Sequence, residues 1–162
     1  MPERSIISNS GPLIALAVVN RLDILPKLYQ DIIVPQAVAD EIRAGGRQRR
    51  AADIVDVNPW IKVIKIPAPL PVALQFLLGR GETEVMTLAL ADSTRLILID
   101  DYRARRTVTA LHLTATGTAG VLVRAKREGL VTAVTPLIQQ MKANGYYISD
   151  QVLAEAQRRA GE

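Results

Sequence analysis

The residues best suited to chemistry are acidic side chains placed where a predicted strand ends or a predicted helix begins. The Asp100-Asp101 pair directly follows Leu96 to Ile99, a continuous apolar run that is typical of a buried parallel strand. Glu84 lies near the start of one predicted helix, and Glu41 lies about two turns into another. Carboxylates without cysteine or a second histidine form a hard-oxygen site that suits Mg²⁺ or Mn²⁺. Because such an ion activates water and stabilises both oxygens of a phosphodiester displacement, the pattern predicts metal-dependent hydrolysis.

Each of these acids also has a structural interpretation. Glu82 and Glu84 can offset the helix dipole or form a capping box in the first turn of their helix. They lie about 200° apart around that helix, so they are not expected to hold the same ion, and the deeper Glu84 is the preferred ligand. Asp101 can cap the helix that follows it, which leaves Asp100 as the stronger candidate of the pair. Glu41 can be a solvated residue beside an apolar stripe.

Uncharged polar and aromatic residues lie at neighbouring turns. Asn9 follows the first predicted strand and can be either a helix cap or a ligand. The hydroxyls of Ser10 and Thr118 can hold water or phosphate, although such residues cap helices more often. Trp60 and the Tyr146-Tyr147 pair can stack on bases, although packing is their more common use.

Alternating strand and helix patterns must position these residues. We predict strands at Ile6-Ile7, Ile32 to Val34, Trp60 to Ile66, Leu96 to Ile99 and His112 to Ala115. We predict the principal helices at Leu13 to Val19, Gln36 to Arg43 with Pro35 at its first position, Val72 to Leu78, Tyr102 to Leu111, Ala119 to Lys126, Pro136 to Ala143 and Asp150 to Arg159. This alternation is typical of a parallel sheet covered by helices on both faces, in which all strands end at one edge. The candidate residues are therefore expected to meet there.

Composition and length limit the class of protein. A chain of 162 residues predicts one domain spanning 1–162, with a core of aliphatic residues because only 4% of residues are aromatic. The absence of cysteine, of a recognisable signal peptide and of any apolar run near ~20 residues predicts a cytoplasmic protein with no membrane segment. The net charge of +4 and the basic segment 45–50 are compatible with a phosphate-bearing partner.

Several enzyme classes lack their motifs in this chain. The sequence contains no Walker-type phosphate loop, no nucleophile elbow and no zinc-ligand spacing. A phosphoryl-transfer or receiver-like domain is suggested by aspartates at a strand end. It ranks last because the first strand has no aspartate and no lysine is well placed.

Taken in order, six segments resemble a known family. They are ISNSGPLIAL, VPQAVADEI, GRGETEVMTLAL, LILIDDYRARR, TATGTAGVLVRAK and GYYIS. Their order and spacing from about Ser5 to Leu153 resemble the PIN-domain superfamily. More narrowly, they resemble its DUF3368 branch of predicted nucleic-acid-binding proteins.

The resemblance implies a three-layer α/β/α fold with a central parallel sheet of about four to five strands. It also implies an acidic cluster that binds Mg²⁺ or Mn²⁺ for RNA cleavage. Many relatives are toxins of toxin-antitoxin pairs, so RNA and a cognate antitoxin are the implied partners. A homodimer is a further open partner, because apolar helices such as Ala119 to Arg124 can be either core or dimer surface. The family's acidic positions, which would be catalytic and metal-binding, fall in turn on Asn9, Glu41, Glu84 and the Asp100-Asp101 pair.

The first of these positions departs from the family pattern. Asn9 keeps a carbonyl oxygen that can ligate a metal but lacks the charge of a carboxylate, so metal affinity and hydroxide formation should both fall. Two hypotheses follow. The chain is a metal-dependent ribonuclease that uses Glu41, Glu84, Asp100 and Asp101, or it is a weakly active or non-catalytic nucleic-acid-binding protein that keeps the fold.

Overall fold

Five short strands form one sheet. The structure, a computed structural model, describes residues 4–45, 51–66 and 69–162. The strands are β1 (Ile6–Ser8), β2 (Ile32–Pro35), β3 (Ile61–Ile64), β4 (Leu96–Leu98) and β5 (Ala115–Thr116). Every neighbouring pair is parallel and the spatial order is β3-β2-β1-β4-β5. The predicted parallel sheet of four to five strands is confirmed.

Helices connect the strands and complete a three-layer α/β/α arrangement. Within the described ranges they are α1 (Ser10–Val18), α2 (Ile24–Leu28), α3 (Gln36–Ala44), α4 (Ile54–Val57), α5 (Val72–Leu77), α6 (Arg80–Ala91), α7 (Tyr102–Ala110), α8 (Thr118–Arg127), α9 (Thr135–Ala143) and α10 (Asp150–Ala160). None of these helices has the length and apolar character needed to cross a membrane.

The sheet core is built from the aliphatic runs of the sequence. Both isoleucines of β1 are fully buried, as are Ile97 and Leu98 of β4. Such β-branched and aliphatic residues fit a strand that is covered on both faces, and each contributes about 1.5–3 kcal/mol when it leaves water. In β3 only Ile61 is buried, which agrees with the alternating pattern and with the edge position of this strand.

The strand order creates a crevice beside β1. From β1 the chain builds β2 and β3 on one side, and then crosses to β4 and β5 on the other. Open parallel sheets bind ligands outside the carboxyl ends of their strands at such a reversal of strand order. Asn9 directly follows β1, and Asp100 lies two residues beyond β4. The fold therefore places these two residues at the reversal point.

Two predicted boundaries were wrong, each for a local reason. Pro35 is the last residue of β2 and precedes α3, because its ψ of 153° is extended rather than helical. The fifth strand lies at Ala115–Thr116 instead of His112 to Ala115, because the amides of His112 and Leu113 bond back to α7 and close its end. Most of the basic segment, residues 46–50, lies outside the described residues.

Candidate functional site

Buried polar side chains are concentrated at the carboxyl edge of the sheet. In the described parts of the chain they end or follow β1 or lie in the first turns of α6 and α8, namely Ser8, Asn9, Thr83, Glu84 and Thr118. Polar groups are costly to bury unless they have partners. Their concentration at this edge identifies it as the candidate site, in which each acidic side chain has its own hydrogen-bond partners.

Glu84 connects α6 to the start of α3. This side chain is almost fully buried, and its Oε2 accepts a hydrogen bond of 2.8 Å from the amide of Ala37. Pro35, at the position before α3, has no side chain that can satisfy the first amides of that helix. The other oxygen, Oε1, lies 3.7 Å from the exposed guanidinium of Arg80. Glu84 is therefore a helix cap supplied by a neighbouring helix.

Glu41 makes the reverse connection, from α3 to the start of α6. Its Oε2 accepts a 3.2 Å hydrogen bond from Ser10 Oγ, and its carboxylate also accepts one from the amide of Gly81. A Cβ atom on Gly81 would lie 2.5 Å from Glu41 Oε1. Only glycine at this position lets the carboxylate approach the helix so closely. The two glutamates thus bind the N-terminal amides of each other's helices.

The electrostatic environment of Glu41 disfavours its charge. Partial burial of the carboxyl raises its pKa above the ordinary value, and the nearby carboxylates of Glu82 and Glu84 raise it further. The hydrogen bonds from Ser10 and Gly81 act in the opposite direction and do not cancel the rise. A cation at this position would relieve the repulsion among the three glutamates.

Asp100 is held on the other side of the reversal point by three donors. Its Oδ1 accepts a hydrogen bond of 2.7 Å from the amide of Thr118, the first residue of α8. Its Oδ2 accepts from the hydroxyl of Thr118 at 2.5 Å and from the hydroxyl of Tyr146 at 2.6 Å. Burial raises the pKa of Tyr146, and the charge of Asp100 adds to this, so Tyr146 acts as a donor. Gly117 leaves room for Asp100, because a Cβ there would lie 2.7 Å from Oδ1.

Asp101 caps α7. Its Oδ1 accepts a hydrogen bond of 2.8 Å from the amide of Ala104, and its backbone is extended at the position before the helix. The capping interpretation of this residue is confirmed. Its assignment as a catalytic and metal-binding residue stays a prediction.

Asn9 contributes an oxygen that no described residue satisfies. Its side chain is buried and Oδ1 has no hydrogen-bond partner. Asn9 precedes α1, but its side chain does not bond to the amides of that helix. The backbone amide of Asn9 instead binds the carbonyl of Leu98 in β4. An unsatisfied buried acceptor is the position at which a cation or a donor from a ligand would be stabilised.

The start of α1 separates the two acidic groups. On one side Ser10 contacts Glu41, and on the other a Cβ on Gly11 would lie 2.9 Å from the Tyr146 hydroxyl that holds Asp100. Among the described residues no three acidic or histidine side chains lie close enough to form a ready metal cluster. The structure therefore brings Glu41 and Glu84 together and places Asp100 across α1 from them.

The oxygen atoms of these side chains are chemically suited to bind a hard divalent cation. All are oxygens, Asn9 Oδ1 is unsatisfied, and the charge on Glu41 is opposed by its neighbours. A carboxylate oxygen that accepts one hydrogen bond keeps further acceptor capacity. The helix amides offset part of the repulsion between these carboxylates.

The sequence named Tyr146 only as a stacking or packing residue, and it did not predict the contact of Tyr146 with Asp100 or the roles of the two site glycines. Tyr146 lies 46 positions beyond Asp100 in a loop, so no local pattern connects them. Gly81 and Gly117 resemble ordinary helix-start glycines, and their close contacts appear only in three dimensions. The one available signal was Asp100-Asp101 followed by a late Tyr-Tyr pair, and that signal alone does not specify a contact.

Comparisons with known proteins identify the family. A model of the DUF3368 family, described as a PIN domain, matches residues 5–162. A solved structure, a PilT N-terminus domain protein from the hyperthermophilic archaeon Sulfolobus solfataricus, is similar with a TM-score of 0.52 and 17% sequence identity. The similarity covers 76% of this chain and 93% of that one, and it supports the fold alone. No curated protein matches the sequence.

Proposed function

The chain belongs to the DUF3368 family of PIN domains, and we propose that it is a divalent-metal-dependent endoribonuclease. PIN domains are generally metal-dependent nucleases. The observation that carries the proposal is the placement of Asn9, Glu41, Glu84 and Asp100 around the start of α1, where the strand order reverses. The polar and charged residues that are buried as whole residues in the described chain are Ser8, Asn9, Thr83, Glu84 and Thr118, and their grouping at this edge is expected for a site that handles a charged substrate.

Oxygens of Asn9, Glu41, Glu84 and Asp100 would hold Mg²⁺ or Mn²⁺. The ion, when bound, supplies positive charge that stabilises negative charge developing on a phosphodiester and lowers the pKa of water. Glu41 is the residue we assign to accept the proton of the attacking water, because its carboxylate contacts Ser10 at the start of α1, where the phosphodiester is expected. Ser10 Oγ, which donates to Glu41 Oε2, orients that carboxylate.

The helix N-termini at this edge would bind the phosphate. The first amides of α3, α6, α7 and α8 each meet a carboxylate, whereas the side chain preceding α1 leaves the first amides of that helix uncapped. Free amides at a helix N-terminus bind anions through hydrogen bonds and the helix dipole. The phosphodiester is therefore expected between Glu41 and Asp100, at the start of α1.

The test is RNA cleavage by purified protein with Mn²⁺ or with EDTA. Glu41→Gln and Asp100→Asn should each reduce cleavage by about 10²–10⁴-fold, because each removes a charge from the site. Asp40→Asn is the matched control, since Asp40 is the neighbour of Glu41 on α3 and its side chain is 63% exposed. Cleavage that persists in EDTA and in both site variants would contradict the proposal.

A second candidate function is nucleic-acid binding without turnover. It is favoured by the neutral Asn9 and by the three donors that already occupy Asp100. The variant Asn9→Asp separates the two candidates, because a fourth carboxylate would restore charge to the site. Cleavage that appears only in this variant would support the binding function, whereas wild-type cleavage that depends on Glu41 would support the nuclease.

We extend the proposal to a cytoplasmic toxin that is paired with an antitoxin protein. Support for this extension comes from the family resemblance of the motifs around Asn9, Glu84 and Asp100. Induced expression of the wild-type chain should arrest growth of a bacterial host, whereas Asp100→Asn should be tolerated at equal protein levels. Equal growth with both chains would contradict the toxin assignment.

A further inference from the structure

An open cleft adjoins the candidate site on the side of Asp100. It lies where the chain passes from α9 to α10 and has a volume of about 330 Å³, within the range of small-molecule sites. Its lining includes Lys142, Tyr146, Tyr147, Ser149 and Asp150. None of these residues belongs to the family's acidic positions.

One residue connects the cleft to the reaction centre. Tyr146 lines the cleft, and its hydroxyl donates the 2.6 Å hydrogen bond to Asp100 Oδ2. The same hydroxyl faces Gly11 at the start of α1. A ligand group in the cleft would therefore be only one tyrosine side chain away from a phosphodiester at that helix start.

The next residue offers an aromatic face to the cleft. Tyr147 is 84% exposed, in a chain in which only 4% of residues are aromatic. Exposing an aromatic ring to water forgoes the gain from burying it, whereas a stacked base would recover that gain. A protein that binds single-stranded RNA stacks bases on such rings, and the interaction tolerates any base.

Charged groups complete the cleft. Lys142 Nζ lies 3.1 Å from Asp150 Oδ1, and the Asp150 side chain is 97% exposed. The Lys142 side chain is 35% exposed, and an ion pair with so exposed a carboxylate contributes little stability, so the ammonium can bind a phosphate instead at low cost. The cleft thus contains an aromatic ring, an ammonium and a carboxylate. A nucleotide presents a base face for the ring, a phosphate for the ammonium and exocyclic donors for the carboxylate.

We propose that this cleft is a nucleobase subsite, in which one base of a single-stranded RNA stacks on Tyr147 while the adjacent phosphate lies at Asp100. The inference rests on the proposed nuclease function and adds the residue that positions the strand. Lys142 binds the next phosphate along the strand. Because stacking is sequence-tolerant, the subsite selects unpaired over paired RNA rather than one base over another.

Binding in EDTA tests the subsite without cleavage. We would measure the affinity of a fluorescently labelled single-stranded RNA by anisotropy for the wild type, Tyr147→Ala and Tyr147→Phe. Tyr147→Ala should weaken binding by about 5- to 150-fold, and Tyr147→Phe should stay within about twofold because it keeps the ring. Phe76→Ala is the matched control, since Phe76 is an aromatic residue that is 87% exposed and lies on α5, outside the cleft lining.

A set of RNAs with one abasic position, moved along the strand, locates the stacked base. In the wild type one position should cost as much affinity as Tyr147→Ala, and in Tyr147→Ala the same position should cost nothing, because the two partners act as a pair. Equal affinities of the wild type and Tyr147→Ala would overturn the subsite even if wild-type cleavage persists. A wild-type protein that neither binds nor cleaves RNA would overturn the proposed function as well.

Discussion

Replacing Gly81 by alanine separates the function of the site from the stability of the fold. The new methyl group would lie 2.5 Å from Oε1, 3.1 Å from Cδ and 3.2 Å from Oε2 of Glu41. Contacts below 3.4 Å are tighter than almost all real Cβ contacts, so the carboxylate must retreat by roughly 0.9 Å, from 2.5 to 3.4 Å. That movement weakens its hydrogen bonds from Gly81 and Ser10.

The two consequences have opposite signs. Alanine is favoured over glycine in a helix by up to about 1 kcal/mol, which would raise the melting temperature by about 2–4 °C for a chain of this size. Displacing a catalytic group by about 1 Å can cost roughly 100-fold in rate. We therefore expect Gly81→Ala to melt at or slightly above the wild-type temperature and to cleave RNA about 10- to 100-fold more slowly.

The assay combines thermal unfolding with single-turnover RNA cleavage in Mn²⁺. A double-mutant cycle with Glu41→Ala isolates the contact, because Gly81→Ala should have no further effect on cleavage once the carboxylate is removed. Full activity of Gly81→Ala would refute the assignment of Glu41. A large loss of stability would show that the new methyl group displaces more than the Glu41 carboxylate.

Three further variants each remove one carboxylate and test its contribution to the free energy of unfolding. The pKa of Glu41 is raised in the folded state, so this residue contributes stability below its ordinary value of 4.5 and loses that contribution as the pH rises through the folded pKa. Glu41→Gln should therefore gain up to about 0.5 kcal/mol over the wild type as the pH rises above the ordinary value of 4.5, measured by urea unfolding. Burial opposes ionisation of Glu162, but the amides that open α9 and a lysine outweigh it and lower the pKa from 4.5 to about 2. Glu162→Gln should therefore cost about 1 kcal/mol at neutral pH, and the difference should vanish as the pH falls through about 2. Glu84→Ala leaves the Ala37 amide without its acceptor and should cost about 1–3 kcal/mol, measured by the same unfolding assay.

The unfolding measurements have a control variant and two outcomes that would contradict the predictions. Asp40→Asn is the control for removing one carboxylate charge from α3, because the Asp40 side chain is 63% exposed. A stability difference for Glu41→Gln that is constant with pH would contradict the raised pKa. A wild-type stability for Glu84→Ala would show that water satisfies the start of α3.

The α/β/α fold was predictable because two of its strands can be recognised from their aliphatic residues alone. Continuous aliphatic runs at Ile6-Ile7 and Leu96 to Ile99 can be satisfied only in the middle of a covered sheet, and both became central strands. The fifth strand was misplaced because His112 and Leu113 form hydrogen bonds to α7, and composition does not reveal that competition. Strand order was not predicted, since no local pattern specifies which strands pair.

The site residues were predicted by type and edge, but their partners were not. The position of Asp100 after a buried strand follows from the sequence, whereas its contact with Tyr146 joins residues 46 positions apart. Glu84 was the preferred metal ligand, with stabilisation of its own helix as the alternative, and the structure shows that it caps α3. Both differences arise because carboxylates at one crowded edge bind whichever helix amides lie nearest in space.

The contact between Tyr146 and Asp100 also bears on synthesis of the chain. Ribosomes add about 5–20 residues each second, so Tyr146 follows Asp100 by roughly 2–9 s, given their separation of 46 positions. By the time Thr118 has been added, all five strands and two of the three donors to Asp100 have been made, and only the Tyr146 hydroxyl is still missing. Chains arrested before Tyr146 should therefore form the sheet while Asp100 lacks its hydrogen bond from the Tyr146 hydroxyl. Limited proteolysis near α7 would detect this difference. The hydrogen bonding of Asp100 is thereby completed only after residue 146 has been added.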